Sequence, residues 1–156
     1  MTTIKKTCVI YTDGACLGNP GPGGWAALVQ IDEESTTISG GHPSTTNNRM
    51  EMQAVIGSLS FLREPFNIEL YTDSRYVLDG INEWINTWTK NNWQTANRKP
   101  VKNKELWQEL YALTNQHHIN WHWVRGHSGN QLNELVDNLA REEACRYEAL
   151  DDTEER

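Results

Sequence analysis

The sequence predicts an α/β domain: one five-stranded mixed sheet, antiparallel at its start and parallel later, with helices on its faces. Three observations lead there. The chain opens with three apolar or alternating runs separated by turn residues, the pattern of an antiparallel meander. The two later strand-like runs each follow a helical stretch, and long helical connections favour parallel pairing. The chain has 156 residues, enough for one domain with its own core, and carries no internal repeat or linker.

The elements follow in order. Residues 7–12 and 25–31 read as the first two strands, with Gly14, Gly18, Pro20, Gly21, Pro22, Gly23 and Gly24 marking a turn-rich loop between them. Residues 36–41 make the third. Met52, Val55, Ile56, Leu59 and Leu62 then recur at helical spacing, with Asn47 or Asn48 placed to cap the start and Pro65 beyond the end. Residues 68–72 form the fourth strand. A helical stretch from Ser74 leads to Trp84, Ile85 and Trp88, and residues 91–103 read as an exposed, basic loop. A helix with Leu106, Leu110 and Leu113 on one face precedes the fifth strand, residues 119–124, in which Trp121 and Trp123 read as core or core-edge residues. The last helix has Leu132, Leu135, Val136 and Leu139 as its apolar stripe. Residues 1–150 are expected to form the domain and 151–156 a frayed acidic tail.

Bulk composition excludes several classes. With 37% hydrophobic and 22% charged residues the chain is globular rather than disordered. No apolar run approaches the roughly 20 residues of a membrane helix. Residues 1–6 lack a signal peptide's apolar core, so the expected compartment is the cytoplasm. Cys8, Cys16 and Cys145 form no CxxC pair and read as reduced thiols. The net charge of −7 argues against nucleic-acid binding until its distribution is seen. From residue 142 onward there are seven acidic and two basic residues, leaving 14 acidic and 12 basic before it. Lys90, Arg98, Lys99, Lys102 and Lys104 have no acid among them, a local patch suited to phosphates.

Four acids stand out by position. Asp13 follows the first strand, Glu51 lies near the start of the first helix, Asp73 follows the fourth strand, and Asp137 is on the last helix. Alone, each is ordinary: an Asp after a strand serves a turn, and a helical Glu is a solvated charge. Together they say more. Neighbouring strands of one sheet can bring Asp13 and Asp73 side by side at one end. Glu51, one turn before Val55, borders the apolar stripe and faces partly inward, where an unpaired charge is costly. Close carboxylates repel unless cations neutralise them, and oxygen-only ligands suit hard cations such as Mg²⁺. Two such ions about 4 Å apart can activate a water and stabilise a leaving oxygen in phosphodiester cleavage.

The motifs themselves resemble a known family. Thr12-Asp13-Gly14, then residues 16–24 (CLGNPGPGG) and 45–51 (TTNNRME), then Thr72-Asp73-Ser74 with Tyr76-Val77, residues 99–103 (KPVKN), residues 123–127 (WVRGH), Gly129, Asn133-Glu134 and residues 137–140 (DNLA) stand in the order and spacing of type 1 ribonuclease H. The match runs over nearly the whole chain and is similar to the bacterial single-domain branch. The resemblance implies the ribonuclease H fold, with the strand meander antiparallel. It implies that Asp13, Glu51, Asp73 and Asp137 hold Mg²⁺, two ions when substrate is bound, with Mn²⁺ a substitute. It implies that His127 sits on a loop, assisting proton transfer or product departure; Gly126 and Gly129 suit a loop that moves. The substrate implied is an RNA–DNA hybrid, cut in its RNA strand to 5′-phosphate and 3′-hydroxyl ends by a monomer that needs no membrane.

Substrate contacts are expected from the Gly-rich loop, with Cys16 and Asn19, and from Thr46, Asn47 and Asn48, which can meet the 2′-hydroxyls and the minor groove. Arg75 and Asn103 belong to the same expected set. Trp84, Trp88, Lys90, Lys99 and Lys102 fall in the family's DNA-gripping protrusion, where aromatics interleave with positive charge. This chain departs from the pattern in places. Asn91, Asn92, Gln94 and Asn97 dilute the protrusion's charge, Ser44 stands where many members have an Arg, and Arg75 replaces a Gln. A strand transferase or junction resolvase would share clustered acids but lack this loop and protrusion. A non-catalytic hybrid-binding module would lack an acid, and all four are present.

Overall fold

Alternation along the first strand sets the architecture. In β1 (Lys6–Cys16), Cys8, Ile10 and Thr12 are buried toward one face, while Tyr11 and Asp13 turn to the other. The structure, a computed structural model, describes residues 6–125 and 130–154, with side chains as far as residue 150. The remaining elements are β2 (Gly21–Ile31), β3 (Glu34–Thr45), α1 (Asn47–Phe61), β4 (Phe66–Thr72), α2 (Arg75–Asp79), a π-helical turn (Gly80–Trp84), α3 (Ile85–Lys90), α4 (Lys104–Thr114), β5 (His118–Trp123) and α5 (Gln131–Glu154). The sheet order is β3-β2-β1-β4-β5. The β1–β2 and β2–β3 pairs are antiparallel, and the β1–β4 and β4–β5 pairs parallel, as the sequence predicts.

The main core lies between the sheet and α1 with α4. Ile10, Val29, Met52, Val55, Leu59, Ile68, Leu70, Trp107 and Leu110 are all buried in it. A smaller cluster on the opposite face packs Val136 and Ala140 of α5 against Ala26 and Leu28 of β2. The sheet therefore has α1 on one face and α5 on the other, and each helix delivers an acid to the same end.

Several expectations need correction. β1 does not stop at Thr12: residues 13–16 stay paired with β2, from Asp13 opposite Ala26 to Cys16 opposite Gly23. Asp13 is thus a strand residue, and Gly21, Gly23 and Gly24 belong to β2 rather than to a loop. Close packing explains the glycine: a Cβ on Gly24 would sit 2.3 Å from the Ala140 carbonyl oxygen and 2.5 Å from the Ala144 nitrogen. The α1 cap is Thr46, whose Oγ1 accepts from the Arg49 N–H at 3.3 Å, and not Asn47 or Asn48. The segment 91–103 is not wholly exposed, because Val101 is buried and Trp93 packs on the core. Leu135 is 39% exposed and leaves the α5 stripe to Leu132, Val136, Leu139 and Ala140. Trp121 packs on the core, but Trp123 is 47% exposed, beyond the reach of the core at the sheet's end. The helix α5 continues past Leu150 to Glu154.

Candidate active site

Parallel pairing of β1 with β4 ends at Thr12 opposite Thr72. The next residue of each chain segment is an aspartate, so Asp13 and Asp73 follow as neighbours at one end of the sheet. The residue after Asp13 decides what can approach. A Cβ on Gly14 would lie 2.5 Å from the Glu51 nitrogen and 2.6 Å from the Met50 carbonyl carbon. Only glycine lets the first turns of α1 press this close, and that approach carries Glu51 to Asp13. The Gly14 N–H donates to Asp13 Oδ1 at 2.8 Å and also to Glu51 Oε1.

One oxygen from each of Asp13, Glu51 and Asp73 lies within 4.8 Å of the others. Asp137 of α5 lines the same cavity of about 310 Å³, together with Asn47, Asn48, Ser74, Arg75 and Tyr76. Its carboxylate also pairs with Arg141 at 3.2 Å, one turn along the helix. Asp13 and Glu51 are each 3% exposed. Burial, foremost, pushes the Asp13 carboxyl up to about 8; the Asp73 charge and a hydrogen bond with Asp137 add to this, while bonds from Glu51 and the Gly14 N–H oppose it. Burial likewise raises Glu51 well above the usual carboxylate range, with Asp13 and Asp73 pushing the same way. At neutral pH, without cations, this cluster holds protons. Its donors are all oxygen, and their charge is unfavourable until neutralised, which fits hard divalent cations.

The expected substrate residues divide by what they touch. Asn19 Oδ1 accepts from the Asn47 N–H at 3.1 Å and ties the β1–β2 connection to the start of α1. The Cys16 thiol reaches the carbonyl oxygens of Gly21 and Thr45, both at 3.4 Å, and pins the same region. Asn47 and Asn48 face the acid cavity. Asn103 buttresses: its Oδ1 accepts from Arg49 Nη1 at 3.0 Å and its Nδ2 donates to the Tyr76 hydroxyl at 3.1 Å. Trp84, Trp88 and Lys102 line a separate apolar groove of about 420 Å³ with Tyr76, Thr87, Thr95 and Val101. Lys90 ends α3, and Lys99 lies exposed in the segment 91–103. Arg75 stands over Trp123, its guanidinium carbon 5.4 Å from the ring centroid. His127 falls outside the described residues.

Sequence reasoning missed Tyr76 and Arg49. Tyr76 lines both the acid cavity and the apolar groove, and its hydroxyl accepts from Asn103 and from Trp107 Nε1 at 3.2 Å. Arg49 links Asn103 to Glu105, the latter at 2.6 Å. Both lie inside the family-like motifs, so the motifs held the signal but assigned it no role.

A mixed sheet whose strand ends and flanking helices bring four carboxylates into one cavity is an arrangement that suits metal-assisted hydrolysis of phosphodiesters. The family description RNase H matches residues 5–145, and the chain belongs to that family. It is 56% identical over 138 residues to the ribonuclease H of Ehrlichia canis, covering 88% of this chain and 94% of the relative. It is 53% identical over 139 residues to that of Mesorhizobium japonicum, covering 89% of this chain and 78% of the relative. Among solved structures, a type 1 RNase H with the type 2 active-site motif superposes with a TM-score of 0.85 at 32% identity, over 94% of this chain and 76% of the other. Among the described residues, no helix is long and apolar enough to cross a membrane.

Proposed function

We propose that this chain is an endonuclease that hydrolyses the RNA strand of RNA–DNA hybrids, with Mg²⁺ as its metal and Mn²⁺ as a substitute, leaving 5′-phosphate and 3′-hydroxyl ends. The observation that carries the reading is the convergence of Asp13, Glu51, Asp73 and Asp137 on one cavity. These four residues hold the metal, two ions when substrate is present. Divalent ions there supply the charge that stabilises the scissile phosphate and makes a water nucleophilic. Asp13 and Glu51 give up protons to admit them. Asn47 and Asn48, at the rim, meet the RNA strand's sugar edge, and Asn19 and Cys16 keep that rim in place. His127 assists proton transfer or product departure. The working unit is one chain, a single domain over residues 1–150 with an acidic extension. Its unpaired Cys8, Cys16 and Cys145 suit a reducing cytoplasm. A binding module without catalysis would have no use for four converging acids. Labelled hybrid, duplex RNA and duplex DNA, each with and without Mg²⁺, test the reading: cleavage confined to the RNA of the hybrid, and only with the ion, is the expected result. Cleavage of all three substrates, or cleavage without the ion, overturns it.

The DNA strand lies along the groove of Trp84, Trp88 and Lys102. Lys90, Lys99 and Lys102 enter no ion pair among the described residues, so their charges are available to phosphates. Replacing Lys99 and Lys102 with Ala should weaken hybrid binding with metal withheld far more than it changes the chemical step. Removing one lysine–phosphate pair should lower the slope of log affinity against log salt by about 0.7–0.9. An unchanged slope in the double variant would mean that this segment does not grip the hybrid.

A further inference from the structure

Among the described residues, Arg75 is the one cation that lines the acid cavity, two residues from Asp73, in a site whose two buried carboxylates lack charge neutralisation. Its guanidinium lines the same cavity as the four acids. Among the described residues it makes no ion pair with any acid, and instead lies over the indole of Trp123, 5.4 Å from the ring centroid. Trp123 is otherwise hard to explain. It ends β5 opposite Thr72, is 47% exposed, and stands outside the core that holds Trp121. A large aromatic left in water beside a charged cavity, with a guanidinium on its face, is an attractive site for that cation.

We propose that Trp123 is a positioning residue: its ring holds Arg75 out of the acid cluster, keeping the carboxylates free for divalent cations and presenting the guanidinium to a phosphate of the bound hybrid. The inference rests on the nuclease reading above. An arginine loose beside Asp73 would compete with metal for the same oxygens, because it offers a fixed charge and a donor fork that matches carboxylates. Held over an indole face, the same group keeps N–H donors for a nucleic-acid phosphate. The chain thus keeps a cation beside the acids without filling the cavity proposed to hold metal.

The test uses the full chain and four variants, Trp123→Leu, Trp123→Phe, Arg75→Gln and the Trp123→Leu/Arg75→Gln pair, each first checked for native circular dichroism. Mg²⁺ and Mn²⁺ binding are measured by calorimetry without substrate, and hybrid binding is measured against salt without metal. Trp123→Leu should bind the ions about fivefold more weakly, on the scale of a single cation–π interaction. The Leu/Gln pair should return to the affinity of Arg75→Gln, because the competitor is gone, and Trp123→Phe should stay near the parent. Trp123→Leu and Arg75→Gln should both lower the salt slope by about 0.7–0.9, the share of one phosphate. Ion affinity unchanged in Trp123→Leu, or a loss that the second substitution does not reverse, overturns the proposal. Cleavage by the parent is assayed alongside, so a parent that neither binds ions nor cuts hybrid rejects the nuclease reading itself. A parent that does both while Trp123→Leu matches it rejects only the role of Trp123.

Discussion

Replacing Asp13 with Asn is expected to lower Mg²⁺-dependent hybrid cleavage by on the order of 10³-fold or more, in a protein that still folds. The two halves of that expectation have separate causes. Asp13 shares a 4.8 Å neighbourhood with oxygens of Glu51 and Asp73, so on the proposed reading its carboxylate is a ligand to the cation. An amide oxygen is neutral and a far poorer ligand for a hard cation. The fold should survive because Asn has the same shape and its carbonyl can still accept from the Gly14 N–H. It also removes a titratable group from a site that is 3% exposed. Single-turnover cleavage at saturating hybrid separates the chemical step from binding. A folded Asp13→Asn protein with near-parental, ion-dependent activity would remove Asp13 from the metal site.

How much of the molecule is legible in its sequence depends on what kind of information each feature needs. The order of strands and helices is legible, because period and turn chemistry are local. The four acids are, because the motifs that hold them are ordered along the chain; their bottom-up logic, strand ends beside a helix start, matches the cavity that forms. The extent of β1 is not. Gly23 and Gly24 look like turn residues in sequence, yet they are strand residues whose missing side chains admit Thr45, Met50 and α5. Local composition cannot distinguish a glycine that turns the chain from one that another element presses against. Leu135 and Trp123 escape for a related reason. Periodicity marks a face, but the width of the covering layer decides which apolar residues on that face are buried, and α5 packs chiefly on β1, β2 and β3. Thr46 takes the cap from Asn47 because the chain must stay extended through β3 up to that residue, and the first side chain able to fold back onto the helix is its own. The near absence of space at Gly14, which makes the site, involves residues 37 apart and has no local signature.

The acid cluster should also govern stability, in a direction opposite to that of ordinary surface carboxylates. With a chelator present, the unfolding midpoint should fall as pH rises from about 4 to about 8. Asp13 has an ordinary value of 3.8 in the unfolded chain and is pushed up to about 8 in the fold, chiefly by burial. Below the lower value both states hold the proton, and the contribution to stability is complete. Between the two the unfolded chain releases it while the folded one does not, so the unfolded state binds fewer protons and stability declines with pH. Glu51, raised by the same burial, adds to the decline. Glu69 and Glu105 are lowered by His122 and Arg49 respectively, and they work the other way, but both are solvent-facing and act near or below their ordinary value of 4.5. The net loss across the window should be on the order of a few kcal/mol, and saturating Mg²⁺ should restore more of it at pH 8 than at pH 5, where protons compete for the same oxygens. Asp13→Asn has no proton to release at that position. In chelator at pH 8 it should therefore melt higher than the parent, by about 5 °C or more for a domain this size. Scans of both proteins at several pH values, with and without the ion, read the effect directly. If the parent's midpoint in chelator is flat from pH 4 to 8 and the variant gains nothing, the Asp13 carboxylate is solvated rather than buried against Glu51. The crowding from which the proposed cation binding is argued would then be absent.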